Sequence, residues 1–205
     1  MRPRKTLLAA VAVGVCVAVV GCGERQPQNA QPLERPDGPG LTSAEVQRED
    51  ATTRWADGYC LAVGELVRSM STIPMIDPST TQRATRTSSE LLATMISGLD
   101  RTVGKLRELG AAPVQVGEQV RAEAIADYTA IRDRAAEVKK TLDAAAQDPA
   151  ASRQAISAAG GPLDEIGKIN LLAGFESAPE LATARDRAQA CRDLTEQGPE
   201  PRLGY

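Results

Sequence analysis

"VRAEAIADYTAIRDRAAEVKKTL", residues 120–142, decides the fold class. Val120, Ala124, Ile131, Ala135, Val138 and Leu142 recur at intervals of three, four and seven residues. Arg121, Glu123, Arg132, Asp133, Glu137, Lys139 and Lys140 fill the opposite side. This is the pattern of an α-helix with one apolar stripe laid on a core. Asp148-Pro149 stops it, because proline disfavours helix in the residue before it, so the spacing predicts a helix over residues 114–146.

The same period extends outward in both directions. Upstream, Leu92, Met95, Ile96, Leu99, Val103 and Leu106 mark a helix over residues 80–109. Gly110 stands where a helix end favours a left-handed residue, and Pro113 follows. Gly98 and Gly104 would let this helix approach a neighbour closely, at a cost in helix propensity. Pro74-Met75-Ile76-Asp77-Pro78 is a loop. Before it, Thr42-Ser43-Ala44-Glu45 has the form of a capping box, and Trp55, Tyr59, Val63, Leu66, Val67 and Met70 line one face of a first helix.

Downstream, residues 149–159 read as helix, Gly160-Gly161-Pro162 interrupts, and Leu163, Ile166 and Ile169 resume the period. Gly174 and Pro179 break it again. Ser177-Ala178-Pro179-Glu180 restates the capping box with proline at the first helical position. A last helix over residues 179–194 carries Leu181, Ala184, Ala188 and Cys191. No strand alternation of useful length appears, nor any repeat of fixed period. The expected fold is all-α, an antiparallel bundle of four to five helices over residues 42–195. A polar tail over residues 196–205, with two prolines, is expected to fray.

The N-terminal segment gives an address. Met1-Arg2-Pro3-Arg4-Lys5 is basic, and the 15 residues 6–20 carry no charge. A spanning helix needs about 20 apolar residues, so the run has the length of a signal-peptide core. Val19-Val20-Gly21-Cys22 closes it and resembles the bacterial lipobox. That resemblance implies a diacylglycerol on the Cys22 sulfur, cleavage before Cys22, and removal of residues 1–21 as a lipoprotein signal. A chemical reason to use cysteine is that its thiolate is a strong nucleophile. Residues 23–41, GERQPQNAQPLERPDGPGL, offer almost nothing to bury. Residues 22–41 are expected to form the lipidated end and a flexible tether, whose nineteen residues after the cysteine span roughly 25 Å as a coil. The expected location is the outer face of the cell membrane, held there by acyl chains.

Removing residues 1–21 takes away Arg2, Arg4 and Lys5 and no acid. The 24 basic and 27 acidic residues then become 21 and 27, a net of −6. That balance argues against nucleic acid as a partner and against electrostatic attachment to anionic lipid heads. Cys60 and Cys191 remain beside Cys22. Two cysteines in an exported chain favour a disulfide, and with no histidine in the sequence they make a poor zinc site. The bond would close a loop of about 130 residues and contribute about 4–5 kcal/mol in the chain-entropy treatment.

The missing histidine also removes the usual general base and triad partner. Gly160-Gly161 precedes Pro162, so it is no phosphate loop, and no Gly-x-Ser-x-Gly elbow occurs. Ser88-Ser89-Glu90 reads as solvated helix surface. Asp127 and Asp164-Glu165 lie nearest the apolar stripes; paired carboxylates can do acid–base work, whereas solvated i,i+4 pairing is the plainer role. Trp55 and Tyr59 are candidates to line a ligand pocket, although an aromatic in a helical stripe is usually core. No catalytic residue, metal ligand or cofactor is expected.

Trp55-Ala56-Asp57-Gly58-Tyr59-Cys60, Ala190-Cys191 and the "LGAAPV" turn of residues 109–114 resemble a group of exported actinobacterial proteins and lipoproteins with an Ala-rich helical domain. The resemblance covers about residues 50–195 and implies an envelope location and a helical fold. The leading expectation is a non-enzymatic, membrane-anchored lipoprotein whose bundle binds an envelope protein partner or a small apolar ligand. A carboxylate-based enzyme acting on envelope material and a structural spacer are the alternatives.

Overall fold

Thr42 opens the first helix as its sequence predicts. Its backbone N–H donates to Glu45 Oε2 at 2.7 Å, and Glu45 N–H donates back to Thr42 Oγ1 at 3.3 Å. These reciprocal bonds satisfy two amides that the first turn would otherwise leave unpaired. They also hold the Glu45 carboxyl below its ordinary range, the backbone bond from Thr42 leading.

The computed structural model describes residues 41–196 and residue 203. The signal, Cys22 and nearly all of the expected tether lie outside the described residues. Seven α-helices and one short 3-10 turn follow: α1 Ser43–Met70, α2 Thr81–Glu108, α3 Gln115–Ala145, α4 Pro149–Ala158, α5 Gly160–Lys168, the turn Phe175–Ser177, α6 Pro179–Arg187 and α7 Gln189–Thr195. No strand occurs among the described residues. The all-α bundle stands, built from three long helices and four short ones where four to five helices are expected.

Side-chain pairs fix the directions. Glu65 meets Lys105 at 3.4 Å, Ser69 Oγ accepts from Arg101 at 2.8 Å, and Gly58 lies against Leu109, so α1 and α2 run antiparallel. Asp100 meets Arg132 at 3.1 Å and Ser89 donates to Asp143 at 2.6 Å, which makes α2 and α3 antiparallel as well. Glu49 pairs with Arg187 at 2.8 Å and Cys60 bonds Cys191, so α6 and α7 both lie against α1. The predicted stripes supply the core: Trp55, Tyr59, Val63, Leu66 and Met70 from α1, Leu92, Met95, Leu99, Val103 and Leu106 from α2, and Val120, Ile131, Ala135 and Leu142 from α3 are all buried. Val67, Ile96, Ala124 and Val138 pack half-buried at its edge. The Cys60–Cys191 disulfide is formed, with its Cα atoms 5.0 Å apart.

Several local expectations are corrected. Gly110 does not end α2 in a left-handed conformation; Gly174, at φ +83°, is the positive-φ glycine among the described residues. Leu109 turns extended instead. The exposed carbonyls of Leu109 and Gly110 are satisfied by the Arg121 guanidinium, and Trp55 Nε1 adds a bond to Gly110 O at 3.2 Å. With those acceptors covered from α3 and α1, a Schellman-type closure is not needed. Arg121, read as part of the solvated face, is therefore half-buried in the α2–α3 turn.

Ser177 is not a helix cap. Its hydroxyl donates to Gly174 O, and the residue before α6 is Ala178, which has no side-chain oxygen. Pro179 does take the first helical position. The single helix expected over residues 179–194 is two. Ala188 turns extended, Asp57 Oδ1 accepts the Ala190 N–H at 2.9 Å, and Arg192 donates to the carbonyls of Asp186 and Arg187. No glycine or proline marks that joint; groups outside the break stabilise it.

Gly160-Gly161-Pro162 interrupts as expected, because Pro162 has no N–H to continue the α4 ladder and is tolerated in the first turn of α5. Ser88 is fully buried, not solvated, while Glu90 stays exposed. Within the polar tail, Leu203 is 5% exposed and belongs to the core cluster.

Candidate functional site

Two hollows stand out in the described surface. The larger, about 380 Å³, lies between the N-terminal half of α1 and α6. Thr52 and Ala184, both 2% exposed, stand at its bottom. Leu41, Val114 and Pro179 give apolar walls. Glu45, Arg48, Glu49, Glu180 and Arg187 give a rim of both signs, bridged by the Arg187–Glu49 pair at 2.8 Å. Thr52 Oγ1 donates to Arg48 O at 2.8 Å, so it is spent on its own helix. Thr53 and Thr183 bring further hydroxyls to the lining. Such a volume falls within the range that takes a small ligand, roughly 300–1,000 Å³.

The smaller hollow, about 120 Å³, is bounded by Tyr59 of α1, by Val120, Glu123, Ala124, Asp127 and Tyr128 of α3, and by Ile169, Asn170 and Ala173. The candidate aromatics meet behind it. The Trp55 and Tyr59 rings lie 5.8 Å apart, and Phe175 packs 6.3 Å from Trp55 and 5.1 Å from Tyr59. Separations of this order are those at which aromatic rings attract edge and face. Trp55 lines neither hollow; it is core, and its indole N–H is engaged by Gly110. Tyr59 is 2% exposed yet reaches the smaller hollow, where Tyr128, 1% exposed, joins it. Burial drives both phenols well above their ordinary range; the Asp127 charge adds to this at each, and at Tyr128 the Tyr59 group contributes as well.

Of the residues singled out from sequence, Cys60 and Cys191 join α1 to α7, Trp55 and Tyr59 pack on each other and on Phe175, and Cys22 lies outside the described residues. Asp127 turns outward and is exposed. Asp164 is exposed as well, and Glu165 is held by Arg134. Tyr128, Phe175 and Asn170 were not recognised as site residues. Tyr128 had a signal, standing four residues after Ala124 and three before Ile131 in the apolar stripe of α3. Asn170 had none, since its place depends on the loop that Gly174 turns. That turn is tight: a Cβ on Gly174 would stand 2.7 Å from Val120 Cγ2.

Among the described residues no three Cys, Asp or Glu side chains converge as metal ligands. No helix among them is long and apolar enough to cross a membrane. No family model matches the chain, no curated protein matches it, and no solved structure matches it.

Proposed function

We propose that this chain is an exported lipoprotein, anchored to the outer face of the cell membrane through acyl groups on Cys22, whose helical domain acts by binding rather than by catalysis. The groove between α1 and α6 carries the binding half of this reading. Its volume of about 380 Å³ suits a small ligand, and its hydroxyls and rim charges of both signs suit one with polar groups beside an apolar body. The anchoring half rests on the basic start, the short apolar run, Val19-Val20-Gly21-Cys22 and the tether-like composition after it. The resemblance to exported actinobacterial helical proteins points the same way.

The test is to extract the protein from its host membrane in mild detergent and weigh it intact by native mass spectrometry. Mass beyond the acyl groups, lost on Thr183→Trp, which fills the groove, is the expected result. A bare lipidated monomer would count against a carried ligand, and the same extra mass on the Trp variant would move it elsewhere. Cys22→Ala should shift the protein to the soluble fraction; unchanged membrane attachment would overturn the anchor.

A further inference from the structure

The smaller hollow has a chemistry that the groove does not share. Two tyrosines, each more than nine-tenths buried, meet in it from different helices. A buried hydroxyl is ordinarily bonded to a neighbour. Among the described residues, the sealed side-chain oxygens without a partner belong to Ser88, Thr102 and Thr129. The two phenol oxygens are not among these, and no described group bonds either one. Both side chains line the hollow.

The other polar groups around it set the sign of what enters. Glu123 and Asp127 stand four residues apart on α3, so both carboxylates share its mouth. No Lys or Arg lines it. Asn170 Oδ1 is taken by the Leu172 N–H at 3.0 Å. Val120, Ala124, Ile169 and Ala173 make the remaining wall apolar. A neutral phenol can accept hydrogen bonds as well as donate them. Acceptors inside, two negative charges at the mouth and an apolar wall fit a cation that donates and carries a short hydrocarbon. Water's share of liquid volume is about 30 Å³, so the hollow has room for about four such volumes.

We infer that this hollow is a binding site for a small primary alkylammonium ion, with the Tyr59 and Tyr128 oxygens accepting from its N–H groups and Glu123 and Asp127 supplying the countercharge. An ammonium offers three donors, matching two phenol oxygens and one carboxylate. An anion of the same size is repelled at the mouth. A bulkier amine does not fit. The inference is independent of the groove and of the lipid anchor.

The test is a titration of the full chain in neutral detergent with n-propylammonium chloride, sodium propionate being the control at matched ionic strength. The tyrosine ring signals, assigned through Tyr59→Phe and Tyr128→Phe, are followed by NMR. The expected result is saturable shifts at Tyr59 and Tyr128 with the amine and none with propionate. Glu123→Gln with Asp127→Asn, both at exposed positions, should weaken binding at least tenfold while the helical circular dichroism stays unchanged. Shifts that never saturate, equal saturation by propionate, or full affinity in the double variant would each overturn the site.

Discussion

Gly98 and Gly104 lie six residues apart on one helix, and their surroundings are opposite. A Cβ on Gly98 would stand 2.8 Å from Ser69 Cβ, which cannot swing aside; at Gly104 nothing lies within 4 Å. Gly98→Ala should therefore lose about 1–3 kcal/mol by forcing α1 and α2 apart. Gly104→Ala should gain up to about 1 kcal/mol from helix propensity alone. Urea midpoints of the two variants check both signs. Sequence could suggest close approach at either glycine and could not separate them, because the neighbour belongs to another helix. The tyrosines make a second residue-scale case. Their phenols are raised by burial, so the stability tied to their neutral form is complete below the unfolded value near pH 10 and is lost as pH climbs toward the folded value. Absorbance of tyrosinate should show Tyr59 and Tyr128 silent at pH 10 and ionising together with unfolding above it; ordinary titration near pH 10 in the folded chain would contradict their burial.

Elements divide into those that carry their own instructions and those that borrow them. α1 opens on Thr42 and Glu45, α4 on Asp148, whose carboxylate accepts from Ala150 at 2.8 Å and Ala151 at 3.3 Å. Thr42 was legible as a cap from its own sequence, whereas Asp148 reads only as the stop of the preceding helix and its capping bonds come from the structure. α7 is different: its first turn is held by Asp57, 133 positions away, and no local pattern could reveal the break at Ala188. Asp57→Ala should cost about 1–2 kcal/mol, the scale of a lost carboxylate cap. Amide exchange should speed up first in residues 189–195, whereas an effect spread evenly over α1 would refute the capping role. The same reasoning explains Gly110. A helix end read from sequence assumes that the chain must satisfy its own carbonyls, and here Arg121 and Trp55 do it. The smaller hollow was half legible for this reason too: Tyr59 lies in a periodic stripe, but Asn170 is placed by the loop turned at Gly174.

At the scale of the molecule, the disulfide joins the middle of the first helix to the last one. Reduction should lower stability by about 4–5 kcal/mol if unfolded-chain entropy dominates. A guanidinium melt with and without reductant measures this, and coincident curves would show that packing of α6 and α7 suffices without the bond. Composition, helix period and the pairing of the two cysteines were enough to read the all-α class, the disulfide and the three long helices, whose apolar stripes are buried together. Ligand chemistry was not, because both hollows form where residues far apart in sequence meet. The Cys60–Cys191 link also has a mechanical consequence. A chain pulled from its two ends carries tension along the shortest covalent path, and that path passes from residue 60 to residue 191 through sulfur. The stretch between them, a sequence separation of 131 and roughly 450 Å of fully extended backbone, is bypassed, so stretching this protein can pay out only its two end segments.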